Sequence, residues 1–515
     1  MTAEDCNYFD EKVAPKREER LGACIEYGGC GQTLQDKFRS GCFRNNERGF
    51  CQGSICQLLP GGGIVNSFQD SVVIMHGSIG CGGAGHNNNA NIRNRQMLAG
   101  DQNPRGALWL STNLKERDVV SGGEEKLEEA ILAADRRYRP SVITVVSTCV
   151  PGIIGDDIDG VVARLQPEVN AILVPVHCEG FKTKIMATAY DAIYHGLARH
   201  VLPANRRRPA GEDYEPDRLV IDEVTKFAEK QHLRRTINLM NVSSMTPQDE
   251  AELRRLLQVL NLEVNIYPCF AHPLDIVKAT QAALSVSTCP THDDYFVKHL
   301  QAKYGVPYIL KHMPVGINNT SLWLRDIADF FGEREKADRF IERETAELEK
   351  ALAPLRANLA GKKAMLSAGE VRTLATAVWL KELGLEITAV RPYHYDEFGE
   401  VDLQKLVADG DTVTVNVATV HPFESVHLLT NNPPDIYLGH NSDTIWAAKQ
   451  GISILPIYGG ANTYVGYQGA FDIARRVNMA LKNTSFNRNL SGHVRQPYNN
   501  DWFQAEPFAY IREDI

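Results

Sequence analysis

From about residue 56 to 485, short apolar runs alternate with stretches whose apolar residues recur at helical spacing. Val72–Met75 predicts a buried strand, and Glu124–Asp135 predicts a helix with one apolar face. Ser141–Val146 and Ala171–Val176 predict strands flanking a helix over Ile158–Leu165. A second group follows: a strand over Thr236–Val242, a helix over Asp249–Val259, strands over Leu262–Tyr267 and Ala283–Ser287, and a helix over Asp293–Tyr304. The third group has strands over Lys363–Ser367, Glu386–Val390, Thr412–Val417, Asp435–His440 and Ile452–Ile457, with helices over Leu374–Leu383 and Ala470–Leu481.

Strands alternating with helices build parallel sheets covered on both faces. The expectation is an α/β chain of three Rossmann-like domains around a central cleft. Its divisions are an irregular N-terminal arm (1–55), α/β units over 56–235 and 236–330, a solvated helical connector (331–360), and a last α/β unit with the C-terminal tail (361–515).

Composition narrows the function. The net charge of −9 supplies no basic field for nucleic acid. No uninterrupted apolar run reaches the roughly 18 residues a membrane span needs. Met1–Cys6 lacks a basic region followed by an apolar one, so no signal peptide is expected and the chain reads as cytoplasmic. In a reducing compartment, the 11 cysteines are better read as including metal ligands than as a disulfide framework. Six lie early, at Cys6, Cys24, Cys30, Cys42, Cys51 and Cys56, but no CxxC pair marks a structural zinc site among them.

The later cysteines follow the strands. Cys81 comes after Val72–Met75 in a glycine-rich turn, Cys149 directly after Ser141–Val146, Cys178 after Ala171–Val176, and Cys289 after Ala283–Ser287. Open α/β sheets place ligands at the carboxyl ends of their strands. Gly80–Gly85 also matches GxGxxG with Asp101 beyond it, but His86–Asn91 is a poor helix start for holding a pyrophosphate. No GxxxxGK[ST] loop occurs. Cys56, Cys81 and Cys149 form the first constellation, since soft thiolates hold iron in both oxidation states. Gly61–Gly63 and the glycines around Cys81 are read as allowing the backbone to approach a cluster closely.

Four stretches carry a family likeness: His76-Gly-Ser-Ile-Gly-Cys81, Ser111–Gly123, Thr148–Asp157 and Pro175–Phe181. Together they resemble nitrogenase component 1, and Cys178-Glu-Gly-Phe181 makes the resemblance closer to the α (catalytic) subunit than to β. The resemblance implies an α2β2 heterotetramer with a homologous β subunit and an ATP-dependent iron protein as electron donor. It implies a P-cluster of the 8Fe–7S type at the α–β boundary, with Cys56, Cys81 and Cys149 as metal ligands and Cys51 competing for the first place. Cys289, in Ser287–Tyr295, matches the cysteine that binds a large internal iron–sulfur cofactor.

Other positions depart from the family. Its histidine ligand falls here near Pro456, its proton-donating histidine at Tyr190, and a nearby glutamine at Met186. Asn87–Asn89 stands where arginines line the nitrogenase pocket, and Gly439-His440-Asn441 replaces the homocitrate-holding region. These departures imply an all-iron cofactor of the 8Fe–9S–C type rather than molybdenum–homocitrate. They point to a nitrogenase-like reductase of the methylthio-alkane reductase type, cleaving small methyl thioethers to methanethiol and hydrocarbon. His440 is then a candidate replacement ligand or proton donor, and Tyr190 a second catalytic candidate. A true nitrogenase α subunit is one alternative reading. A non-catalytic cofactor-assembly scaffold is another, since Thr148–Asp157 and the absent histidine fit one as well.

Overall fold

The structure is a computed structural model and describes residues 8, 11–41, 47–49, 56–82, 92–97, 102–104, 106–204, 233–241, 244–408, 410, 412–457, 462–494 and 499–512. The arm supplies two short strands, β1 (Tyr27–Cys30) and β2 (Glu47–Arg48). The first parallel sheet contains β3 (Ser71–His76), β4 (Trp109–Ser111), β5 (Val142–Ser147) and β6 (Ile172–His177), in the order β4-β3-β5-β6. The second contains β7 (Leu233–Met240), β8 (Glu263–Tyr267), β9 (Ala282–Ser287) and β10 (Tyr308–Ile309), in the order β10-β9-β7-β8. The third contains β11 (Lys363–Ala368), β12 (Glu386–Pro392), β13 (Thr414–Val417), β14 (Ile436–Gly439) and β15 (Ser453–Pro456). Its order is β1-β13-β12-β11-β14-β15, with the arm's β1 antiparallel on its edge. β16 (Ile511–Arg512) pairs antiparallel with β2.

The apolar runs are explained by burial on both faces. Along β3, Val73 and Met75 enter a core with Ile193, Leu197 and Val201 of the helix Thr188–Ala204. Val72 and Ile74 enter another with Leu127 and Ile131 of the helix Glu124–Tyr138. Alternate side chains thus leave opposite faces of one strand, as its two-residue period requires. Among the described residues, no helix is long and apolar enough to cross a membrane.

Each sheet grows outward in both directions from an inner pair of strands. These pairs are β3 and β5, β7 and β9, and β11 and β14. At such a reversal the following helices leave on opposite faces and open a crevice beyond the carboxyl ends. The ends are in register: His76 opposite Ser147, Met240 opposite Ser287, and Ser367 opposite Gly439. Cys81, Cys149, Cys289 and His440 therefore all follow strands that border a crevice.

The stretch expected to be a solvated helical connector is the helix Arg334–Leu359, but it buries Ala337, Phe340, Ile341, Leu352 and Leu359. Its charged residues dominate the composition, but its apolar stripe faces Tyr467, Ile473 and Val477 of the helix Gly466–Lys482 in a shared core.

The arm also carries a charge inward. Arg17, on the short helix Arg17–Leu21, is fully buried. Its Nε donates to Asp396 Oδ2 at 2.9 Å, and its Nη1 donates to Asp294 Oδ1 and to the Thr291 carbonyl, each at 3.0 Å. Nη1 also lies 3.8 Å from Asp191 Oδ1, and Arg20 donates to Asp191 Oδ2 at 2.8 Å. Asp191 follows β6, Asp294 follows β9 and Asp396 follows β12, so one guanidinium meets groups set by all three sheets. Removing one partner of a buried ion cluster leaves the others uncompensated, at a cost of about 3–5 kcal/mol. Arg17→Met is expected to lower the thermal midpoint strongly in a melting experiment. Arg17→Lys should recover little of it, because an ammonium cannot reproduce the planar fork of donors.

Candidate metal-cluster site

The loops after β3 and β5 are fastened to each other before they present their thiols. Thr148 Oγ1 donates to the His76 carbonyl at 2.8 Å, and the Gly77 amide ties the first of these loops to the one after β4, donating to Thr112 Oγ1 at 3.0 Å. A side chain at Gly77 would place its Cβ 1.9 Å from Thr148 Oγ1, so the close approach of the two loops requires glycine there. The His76 ring is buried, with Nδ1 3.1 Å from Thr112 Oγ1 and Nε2 3.0 Å from Asp156 Oδ2. It serves as a brace between the loops.

On this brace Cys81 lies in the one-turn 3-10 helix Ile79–Gly82, and Cys149 is the first residue of the helix Cys149–Ile154. Cys56 precedes the helix Leu58–Val65. Cys56 is exposed, and Cys81 and Cys149 are half-buried. Gly180 joins two of them: a Cβ there would meet Cys56 Sγ at 2.5 Å and Cys149 Sγ at 3.5 Å. The charges of Cys81 and Cys149 bear on the Cys56 thiol, which burial, the larger effect, also raises above its usual range. The Leu58 amide donates to Cys56 Sγ at 3.4 Å, an N–H directed at sulfur of the kind that stabilises a thiolate. The structure thus brings Cys56, Cys81 and Cys149 together. Three soft donors, one glycine-made space and an amide donor fit an iron–sulfur cluster.

This site opens to the surface. Leu59, Ile79, Ile153 and Phe181 are large exposed apolar side chains, each within four residues of one of the cysteines or of Gly180. Gly61–Gly63 are buried in the helix Leu58–Val65. A Cβ on Gly61 would meet Ala189 Cβ and Cys178 Sγ, each at 3.3 Å, rather than the three surface thiols, so its absent side chain lets this helix pack closely on its neighbour. Cys178 is buried there, and burial pushes its thiol well up, so it acts as a packing residue. Cys6, Cys42, Cys51, Asn87–Asn89 and Asp101 lie outside the described residues.

Directly behind the thiols is a charged relay. His177 Nε2 lies 3.0 Å from Asp159 Oδ2 and its Nδ1 3.3 Å from Glu179 Oε1. Ser147 Oγ donates to Glu179 Oε1 at 2.7 Å, and the Glu179 chain packs against Gly152 of the Cys149 helix. Burial opposes an imidazolium here, but the two carboxylates outweigh it and raise His177 to about 9. Burial likewise opposes ionised Glu179, and the His177 and Ser147 hydrogen bonds overcome it, lowering Glu179 to about 2.

Cys289 occupies a second, interior position at the end of β9, capping the helix Pro290–Tyr304. Burial pushes its thiol up to about 12, and the Arg372 guanidinium is the strongest influence in the opposite direction. Tyr190 reaches this neighbourhood: its ring stacks on His292 at 3.8 Å, and the His292 amide donates to the Cys289 carbonyl at 2.8 Å. His440 precedes the helix Asn441–Lys449 at the β11–β14 crevice and is half-buried. The Pro456 carbonyl, at the end of β15, accepts from Arg476. One buried thiol beside a buried cation fits an anionic cluster held at one end. Arg372 and His292 were not singled out from sequence. Arg372 had a signal, since Ser367-Ala-Gly-Glu-Val-Arg372 is a strand end, a glycine and a helix start, the pattern that marks a crevice.

The family model of nitrogenase component 1 type oxidoreductases matches residues 56–482, and the chain belongs to this family. Among its curated relatives is the nitrogenase iron-molybdenum cofactor biosynthesis protein NifE of Methanosarcina barkeri, 28% identical over 86% of this chain and 91% of that one. The same protein from Nostoc sp. is 27% identical over 90% of each chain. The nitrogenase molybdenum-iron protein alpha chain of Methanosarcina barkeri is 25% identical, covering 82% of this chain and 84% of its own. The solved structure titled nitrogenase Cp1 at pH 5 superimposes with a TM-score of 0.66 at 20% identity, over 88% of this chain and 93% of its own, and shares the fold.

Gly180→Ala should cost the protein iron without unfolding it, because the new Cβ occupies the space beside Cys56 and Cys149. Iron content and circular dichroism of the purified protein check both halves. The His177 relay makes a pH prediction. An imidazole raised in the folded state contributes stability that is complete below its unfolded value of about 6.5 and is lost as pH rises through about 9. Melting curves should therefore show wild type losing more stability than His177→Gln between those limits.

Proposed function

We propose that this chain is a cluster-holding α-type subunit of a component 1 complex, and that its task is that of a cofactor-assembly scaffold. What supports this reading is the interior position: Cys289 is a buried soft donor, and the stretch around Pro456, near which the family's second ligand falls, carries no histidine. A cluster tied by one thiolate leaves after one bond breaks, which suits a protein that must pass it on. The likeness to cofactor biosynthesis proteins supports the same assignment. Arg372 would offset the charge of an all-iron precursor, and Tyr190 on His292 would close the wall beside Cys289. Cys56, Cys81 and Cys149 would hold a P-cluster-type group completed by a homologous β subunit seated over Leu59, Ile79, Ile153 and Phe181, in an α2β2 assembly.

A second reading has its own support. An open thiol site ringed by apolar side chains suits electron entry from an iron protein, which a turning-over reductase needs. In that case the internal cluster supplies low-potential electrons for C–S cleavage of small methyl thioethers. This chain's own part would be to bury the substrate beside Tyr190 and Arg372. The nearness of Tyr190 to Cys289 favours it as the residue that positions substrate or proton, whereas His440 would act from the third sheet.

One preparation separates the readings: the complex purified with its β subunit. A scaffold should restore acetylene reduction to a cofactor-deficient nitrogenase component 1. Supplied with iron protein, ATP, reductant and dimethyl sulfide, it should release neither methane nor methanethiol. Methanethiol release without restored activity would overturn the scaffold and establish the reductase. Failure of both would overturn both.

A further inference from the structure

Outside both cysteine sites, three buried side chains converge where the third sheet ends. Glu370 is the first residue of the helix Glu370–Glu382 after β11, and His394 and Asp396 follow β12. Glu370 and Asp396 are completely buried, and His394 almost so. One ligand atom from each lies within 4.8 Å of the other two. His394 Nε2 is 3.5 Å from Glu370 Oε2 and 3.5 Å from Asp396 Oδ2. That is too long for an N–H···O hydrogen bond, whose range ends near ~3.2 Å. Neither His394 Nε2 nor Glu370 Oε2 has a hydrogen-bond partner among the described residues. Buried polar atoms are normally satisfied, so two that face each other without bonding require a third body.

The two 3.5 Å spacings from His394 Nε2 are those between neighbouring ligands of a small ion. Four ligands placed tetrahedrally at about 2.1 Å from a zinc-like ion lie about 3.4 Å from one another. The other oxygens of the two carboxylates are already oriented. The Asp396 amide donates to Glu370 Oε1 at 2.7 Å and leaves Oε2 free. The Phe398 amide donates to Asp396 Oδ1 at 3.0 Å, while Arg17 Nε takes one side of Oδ2 and leaves its second lone pair available. Such fixed outer partners are what hold metal ligands in position.

We infer that Glu370, His394 and Asp396 bind a divalent first-row cation of the zinc or ferrous class, a structural metal separate from any iron–sulfur cluster. A water completes the fourth position. The ion joins the ends of β11 and β12 and stiffens the wall on which Arg17 anchors the arm.

The test needs neither clusters nor turnover, so it stands or falls apart from the scaffold reading. The full chain is produced in a host without cluster-assembly genes, in zinc-supplemented medium, and its metal is quantified. About one zinc per chain is expected. Its X-ray absorption should show nitrogen and oxygen neighbours at about 2.0–2.1 Å and no sulfur at about 2.3 Å. Glu370→Gln keeps the shape and the bond from the Asp396 amide, and His394→Asn keeps the polarity. Each should reduce bound zinc at least tenfold while the circular dichroism spectrum is unchanged. If His394→Asn unfolds, Glu370→Gln alone decides. Wild type without stoichiometric metal, zinc bound through sulfur, or folded variants retaining zinc would each overturn the assignment.

Discussion

Arg17 places a positive charge where no water reaches it, and much of the architecture answers to that choice. A buried guanidinium persists only if carboxylates converge on it, and Asp191, Asp294 and Asp396 come from the carboxyl ends of three separate sheets. Their positions are therefore mutually fixed. The arm that delivers Arg17 is itself secured by β1 on the edge of the third sheet and by Arg48, which donates to Glu424 and to the Val417 carbonyl. An interior held by ions in this way is costly to assemble and specific once assembled. That suits a protein whose chemistry depends on groups contributed by different units.

The cysteine sites gain their geometry from the same ends of the sheets. Cys149 and Cys81 sit on loops locked by Thr148, Gly77 and His76, so their separation is set by backbone register rather than by the thiols. Cys289 is fixed by its place at the head of a helix whose next turn carries Asp293 and Asp294. Asp293 accepts from Ser287 at 2.6 Å, and Asp294 from Arg17 at 3.0 Å. The three-cysteine position and the interior position thus differ in kind. The first is open and apolar at its rim. The second is closed and beside a cation.

Much of this was legible in the sequence because parallel strands buried on both faces write themselves as uninterrupted apolar runs. Val72–Met75, Ser141–Val146 and Ala283–Ser287 were each located to within a residue or two, and the cysteines after them followed. The legible part ended where the meaning of a residue depends on what is far away in the chain. Arg17 is one basic residue among several in a charged segment, and nothing nearby announces three aspartates up to 379 positions distant. Gly61–Gly63 read as cluster glycines because glycine near cysteine permits close approach; at Gly61 the structure uses the same property for packing against Ala189 and Cys178. The helix Arg334–Leu359 reads as solvated for a related reason. Its charge is on the surface, but the stripe that decides its role is a minority of its residues.

The proposed function places iron at two separate positions in one chain, an open one at Cys56, Cys81 and Cys149 and a closed one at Cys289. Anomalous diffraction at the iron edge, from crystals of the complex purified with its β subunit, distinguishes them. Two resolved iron peaks per chain are expected, one at the three surface thiols and one in contact with Cys289. A single iron site, or iron that avoids either set of sulfurs, would rule the proposal out.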